Sequence, residues 1–262
     1  MSHEPSPATP WQESLLQCDF HRAHIGYRAT GQTDEIQMEL LESLSSLSQW
    51  QIDLRAKRYK VALKHLEQID SDTRSILEPW VDIQSLMGNT QFLSEFKTEH
   101  ITDPQELEEQ LASCLDHPAT RPEALNHLGV LNALLGNIDT ARTLFEEILN
   151  IDPKHHRART NLGNLFLEEG DFATAEQHYR AALALQPDYA TAHNNLSAAL
   201  KKQKKIGAAV KALKKSHRLE QRRIQAETQE SKSITRWFSS RWVQYILIAI
   251  VVFFVWNGLH KP

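Results

Sequence analysis

A period of 34 residues in the middle of the chain restricts its fold more than any other sequence feature. Aligning residues 122–155 with residues 156–189 gives nine identities, including the pair Gly129 and Gly163. Ordinary composition would give roughly two identities by chance. A period of this length is typical of repeat proteins, in which neighbouring units stack and bury a continuous core. The chain is therefore expected to contain a solenoid.

Each unit of the repeat has the pattern of two helices joined by a turn. Leu128 and Leu131 follow the apolar spacing of a helix. Gly136 and Gly170 are each followed by Asn or Asp and stand where a glycine ends the first helix. Pro153 then stops the second helix, because proline cannot continue a helix. The predicted fold class is all-α, with helix–turn–helix repeats.

These residues resemble the tetratricopeptide repeat family, whose units carry a Leu-Gly pair, an alanine four residues before an aromatic residue, and a final proline. In the second unit Ala175 and Tyr179 form the Ala–aromatic pair. Residues 190–223 form a weaker third unit, in which Leu196-Ser197 replaces Leu-Gly and Gln221 replaces the proline, as in a capping repeat. The resemblance implies a superhelix whose first helices line a concave, peptide-holding face.

Four further segments complete the predicted organisation. Residues 34–117 are predicted to be divergent, repeat-like helices, because RYKVALKHLEQI resembles the second helix of another repeat. Residues 1–33 are predicted to be disordered and residues 224–236 to be a linker. Residues 237–259 are predicted to form a transmembrane tail anchor.

The anchor prediction depends on an apolar run near the end of the chain. Residues 242–259 contain no charged residue, and as a helix they would span roughly 27 Å, close to the thickness of a hydrocarbon core. A buried core helix is the alternative. Arg236 and Arg241 flank the run on the body side, so the positive-inside rule places the body in the cytoplasm. In a bacterium this would be the inner membrane.

Carboxamides on the predicted first helices suggest a peptide-binding groove. Each carboxamide can donate to and accept from a peptide backbone without desolvating a charge. Asn161 and Asn195 are 34 residues apart, so they are expected to stack as a ladder. The alternative is a groove lining that is merely solvated. The candidate groove residues are Asn126, His127, Asn161, Asn164, Asn194 and Asn195.

The charge of the chain is strongly asymmetric. Residues 1–200 carry 15 Lys and Arg against 30 Asp and Glu, whereas residues 201–262 carry 14 against 3. We expect contact with anionic membrane headgroups; a solvated helix face is the alternative, and nucleic acid is disfavoured by the lack of interleaved aromatics. The cations concerned are Lys201, Lys202, Lys204, Lys205, Lys211, Lys214, Lys215, Arg218, Arg222 and Arg223.

Enzymatic function is not expected, because the sequence lacks a phosphate loop, a dinucleotide fingerprint and a nucleophile elbow. His21 and His24, and the pair His155 and His156, have metal-like spacing but no neighbouring ligand that completes a site. No metal, cofactor or small-molecule substrate is predicted.

The predicted function is that of a membrane-anchored adaptor or scaffold, which binds a protein partner through the concave groove on the cytoplasmic side. The alternative is an assembly or quality-control factor for a membrane protein complex. Such a factor would contact its partners through the transmembrane helix as well.

Overall fold

The computed structural model describes residues 9–31, 35–97 and 100–238, which form helices and turns and no strand. The all-α prediction is confirmed for these residues. The helices are α1 Pro10–Leu16, α2 Phe20–Arg28, α3 Glu35–Arg55, α4 Tyr59–Glu67, α5 Ser71–Leu77, α6 Ile83–Glu95, α7 Pro104–Gln110, α8 Ala112–Asp116, α9 Arg121–Leu134, α10 Ile138–Ile151, α11 His156–Glu168, α12 Phe172–Leu185, α13 Ala190–Lys202 and α14 Ile206–Phe238. The chain divides into two compact units, Met1–Pro187 and Asp188–Pro262.

The N-terminal segment is folded where the structure describes it. The prediction that residues 1–33 are disordered is wrong over residues 9–31, which form α1 and α2. Leu15 and Phe20 are fully buried, and the Phe20 ring packs edge-on against Trp50 with the ring centroids 5.8 Å apart. Burying one such side chain stabilises the fold by about 1.5–3 kcal/mol. The two helices are too short to show a repeated apolar stripe in the sequence.

The described part of the region predicted as residues 34–117 consists of the helices α3 to α8, joined by turns and short connecting segments. Helices α3 and α4 pack against each other. Lys57, in the turn between them, has a left-handed φ of 58°. Ala62 and Leu66 are fully buried, as expected for the second helix of a repeat. That these helices are true repeats stays a prediction.

The two clear repeats are the pairs α9–α10 and α11–α12, and glycines allow their helices to approach closely. A Cβ atom on Gly129 would lie 2.6 Å from Cε1 of Phe145, and one on Gly163 would lie 2.7 Å from Cε1 of Tyr179. Gly136 ends α9 with a φ of +81°, a conformation that glycine adopts without steric cost. The roles predicted for these glycines are confirmed.

The second unit contains the third helix pair, α13 and α14. Ser197, which replaces the repeat glycine, donates from Oγ to the carbonyl oxygen of Ala209 over 2.8 Å. Helix α14 continues through Gln221 to Phe238. The predicted linker at residues 224–236 is therefore helical, because no proline or glycine interrupts the chain there.

The predicted transmembrane segment, residues 237–259, lies outside the described residues except for its first two positions. Within the described part of the chain, none of the helices combines the length and the apolar character needed to cross a membrane.

Candidate partner-binding groove

An open groove lies along the first helices of the two repeats in the first unit, α9 and α11. It encloses a cavity of about 160 Å³. Leu134, at the end of α9, is 80% exposed. The groove thus combines exposed apolar surface with a few polar groups, as ligand sites commonly do. Its lining residues are Val130, Ala133, Leu134, Phe145, Asn161, Asn164, Leu165 and Glu168.

The two predicted asparagines of α11 line this groove and also make internal hydrogen bonds. Asn161 donates from Nδ2 to Oδ1 of Asn126 over 3.0 Å. Asn164 accepts at Oδ1 from the Tyr179 hydroxyl over 2.8 Å. Both side chains are half-buried. These internal hydrogen bonds therefore fix the orientation of both carboxamide groups in the groove.

The predicted groove residues of α9, Asn126 and His127, are not among the residues that line this cavity. Asn126 is only 2% exposed. The His127 ring packs edge-on against Phe96, with centroids 5.7 Å apart, and its Nε2 atom is buried without a hydrogen-bond partner. Burial, followed by the nearby positive charge of Lys57, lowers the pKa of His127 to about 4. Phe96 and Lys57 thus lie beside the half-buried His127, and the assignment of Asn126 and His127 to a peptide site stays a prediction.

A buried ionic cluster centred on Glu123 lies near the start of α9. Glu123 is 1% exposed; it accepts from Nε2 of His155 over 2.9 Å and from Nη1 of Arg157 over 2.6 Å. Burial alone would raise the pKa of the Glu123 carboxyl, but the charges of Arg157 and His155 outweigh it and hold the pKa well below its usual range. The carboxylate is therefore ionised and fully partnered, which suits a structural role better than a catalytic one.

Residues at the junction of α3 and α4 lie beside the Glu123 cluster and the turn that follows α10. Tyr59 lies close enough to Glu123 and Arg157 for their charges to affect its hydroxyl, although burial is the main cause that raises the pKa of Tyr59 above its usual range. Arg55 forms a two-bond ion pair with Asp152, with distances of 2.5 and 2.9 Å. The bidentate geometry fixes the end of α3 against the turn that follows α10.

Sequence reasoning missed this cluster, although one signal for it exists. Glu123 and Arg157 are 34 residues apart, so opposite charges stand at the same position of successive repeats. Equivalent positions on neighbouring first helices face the same side of the array. A search for complementary charges at the repeat period would have paired the two residues.

The remaining predicted groove residues belong to the second unit. Asn194 is exposed and Asn195 is half-buried on α13. The contact observed for Asn161 is with Asn126. The predicted ladder between Asn161 and Asn195 stays a prediction.

The predicted cations also lie in the second unit, at the end of α13, in the following turn and along α14. Lys204 occupies the turn with a left-handed φ of 60°. Lys215 donates from Nζ to Asp188 over 2.7 Å, and Arg223 pairs with Glu220 over 2.6 Å. Lys215 is half-buried, and the other nine of the ten predicted cations are exposed.

Comparison with known proteins identifies the repeats. Residues 120–188 and 160–218 match two sequence models of the tetratricopeptide repeat. Comparison with the curated proteins gives no significant match.

Several solved structures are similar to parts of the chain. The structure of MamA MSR-1 C2 is 20% identical, with 69% of this chain and 97% of that chain covered and a TM-score of 0.39. A crystal structure of MamA is 14% identical, with 84% and 99% covered and a TM-score of 0.39. The first TPR of Spaghetti (RPAP3) bound to HSP90 peptide SRMEEVD is 25% identical, with 45% and 94% covered and a TM-score of 0.37.

Proposed function

We propose that the tetratricopeptide repeats of residues 120–218 bind an extended segment of a protein partner in the groove between α9 and α11. Tetratricopeptide repeats mediate protein–protein interactions, and two models of the repeat match this segment. The observation that carries the proposal is the groove itself, where Leu134 is 80% exposed beside the half-buried Asn161 and Asn164.

The chemistry of the lining indicates which segment would fit. Leu134 and Val130 offer apolar surface that gains free energy when a partner's apolar side chain covers it. Asn161 and Asn164 suit the backbone amides of an extended chain. Among the described lining residues only Glu168 has an ionisable side chain, and its carboxylate favours a basic neighbour. The expected ligand is therefore an apolar residue beside a basic one, and a terminal carboxylate is disfavoured.

We further propose that the chain holds this groove at the cytoplasmic face of a membrane. The uncharged run at residues 242–259, with Arg236 and Arg241 before it, supports this step. Confining the groove to a surface raises the effective concentration of a partner on the same membrane. The chain would then act as an adaptor rather than as an enzyme.

Site-specific photocrosslinking in intact membranes tests the proposal. A photoreactive residue replaces Leu134 in the full chain; the matched control replaces Leu135, which is also exposed but does not line the groove. A partner crosslinked from position 134 and not from position 135 is the expected result. Equal crosslinking from both positions would reject the groove as the site.

Exchanging residues 237–259 for an unrelated apolar segment distinguishes the adaptor hypothesis from the assembly-factor hypothesis. An adaptor needs only attachment, so its crosslink from position 134 should persist. Loss of function with an intact crosslink would favour the alternative, in which this segment itself contacts partner helices.

A further inference from the structure

Helix α14 has one face that packs within the second unit. Ala209, Ala212 and Leu219 are buried on this face. Ser216 lies between them and donates from Oγ to the carbonyl oxygen of Ala190 over 2.9 Å. This face therefore secures α14 to α13 and leaves the rest of its circumference for other contacts.

A second face is an exposed apolar stripe formed by Ile206, Val210, Leu213 and Ile224. These side chains are 37 to 56% exposed. Because an α-helix turns by about 100° per residue, their spacing keeps them within about 60° of one another. The stripe is thus apolar surface that the described residues of the second unit leave partly exposed.

A third face, adjacent to the stripe, is basic. By the same helical geometry its members occupy an arc of about 100°. Asp188 lies beside the basic face and accepts from Nζ of Lys215 over 2.7 Å. Glu220 lies at the far edge of the stripe, where it pairs with Arg223. The members of the basic face are Lys211, Lys214, Lys215, Arg218 and Arg222.

We propose that residues 206–224 of α14 lie along an anionic lipid bilayer, with the apolar stripe at the acyl boundary and the basic face on the headgroups. An apolar stripe beside a cationic arc is the pattern of helices that lie in a membrane interface. The inference rests on the membrane attachment in the proposed function, because the run at residues 242–259 follows α14 in the chain. That continuity, with the excess of cations, favours a bilayer over an acidic protein surface.

The test places a fluorophore on the stripe of the full chain. A Val210→Cys variant is labelled at neutral pH; burial raises the pKa of the Cys18 and Cys114 thiols to about 11, so both react slowly. The labelled chain is mixed with vesicles of phosphatidylcholine alone or with phosphatidylserine added, each containing a lipid-borne quencher. We expect at least twofold stronger quenching in the acidic vesicles. Ala208→Cys, an exposed site about 140° or more around α14 from the stripe and at the edge of the basic face, is the matched control and should be quenched less than position 210.

A variant in which the basic face is neutralised provides a second test of the proposal. The combined variant Lys211→Gln/Lys214→Gln/Arg218→Gln/Arg222→Gln should lower quenching in acidic vesicles to the level in neutral ones. Equal quenching in acidic and neutral vesicles, or equal quenching at positions 208 and 210, would overturn the proposal. Sedimentation of the chain with neutral vesicles tests the membrane attachment separately. Failure to sediment with them would count against the proposed function. Quenching in acidic vesicles would in that case still support the lipid contact of α14.

Discussion

At the scale of the residue, Gly163 determines how closely the two helices of the second repeat can pack. Adding a Cβ atom there places it 2.7 Å from the Tyr179 ring and 3.2 Å from Cβ of His178. We expect Gly163→Ala to lower the free energy of unfolding by about 1–3 kcal/mol, as overpacking does. Urea denaturation of the full chain measures the change.

Gly88→Ala is the matched control for this substitution. Gly88 lies inside α6, and a Cβ atom there meets nothing within 4 Å. This change should stabilise the fold by about 0.5–1 kcal/mol, because it removes backbone entropy from the unfolded chain. Two glycine-to-alanine changes with the same sign would contradict the packing argument.

His127 predicts a dependence of stability on pH. Burial, then the charge of Lys57, lowers its pKa from 6.5 to about 4 in the folded chain, so the unfolded state binds more protons between these values. Stability should therefore fall as the pH drops from about 6.5 to about 4, by on the order of 3 kcal/mol from this residue. His127→Gln should reduce that slope in denaturation curves recorded across the range.

The exposed histidine of α14 supplies the control for this prediction. His217→Gln changes a residue outside the buried cluster and should keep the wild-type slope. Identical slopes for the wild-type chain and the His127→Gln variant would show that the buried ring does not cause the acid sensitivity.

At the scale of the element, the turn between α13 and α14 contains a lysine, Lys204, in an unfavourable left-handed backbone conformation. Gly136 and Gly170 have φ values of +81° and +85°, and Lys204, 34 residues beyond Gly170, has a φ of 60°. A left-handed conformation costs a lysine roughly 1 kcal/mol that a glycine does not lose. We expect Lys204→Gly to raise the free energy of unfolding of the second unit by about that amount. Hydrogen exchange of α13 and α14 measures it.

Lys211→Gly is the control for the turn. Lys211 lies exposed inside α14, where glycine should destabilise the helix by about 1 kcal/mol. Faster amide exchange in both variants would refute the assignment of strain to position 204.

The repeat helices were predictable because their signals are local. Glycine, alanine and proline recur in phase from Gly129 to Pro187, and each residue has a steric role within its own unit. The helices α1 and α2 were missed because their stability comes from burying Leu15 and Phe20 against other elements. The length of α14 was missed because a linker was assumed where nothing in the sequence stops the helix.

At the scale of the whole first unit, long-range contacts join the N-terminal helices to the repeats. Arg55 reaches Asp152 across 97 positions of sequence, whereas the pairing of Glu123 with Arg157 shows in the sequence as opposite charges one repeat period apart. A contact such as that of Arg55 with Asp152 leaves no periodic signal, so the sequence did not show how the N-terminal helices pack on the repeats. Of the four groove residues predicted on α9 and α11, Asn161 and Asn164 line the observed cavity, which lies towards the end of α9.

The affinity of the full chain for its crosslinked partner tests the central claim most directly. Leu134→Glu removes apolar contact surface from the groove, whereas Leu135→Glu makes the same change outside it. Because Leu134 is 80% exposed, the variant should keep the thermal midpoint of the wild-type chain. We expect Leu134→Glu to weaken binding tenfold or more, since about 1.5–3 kcal/mol of apolar burial is lost, and Leu135→Glu to leave it unchanged. Unchanged affinity in a folded Leu134→Glu variant would contradict the assignment of the groove as the partner site.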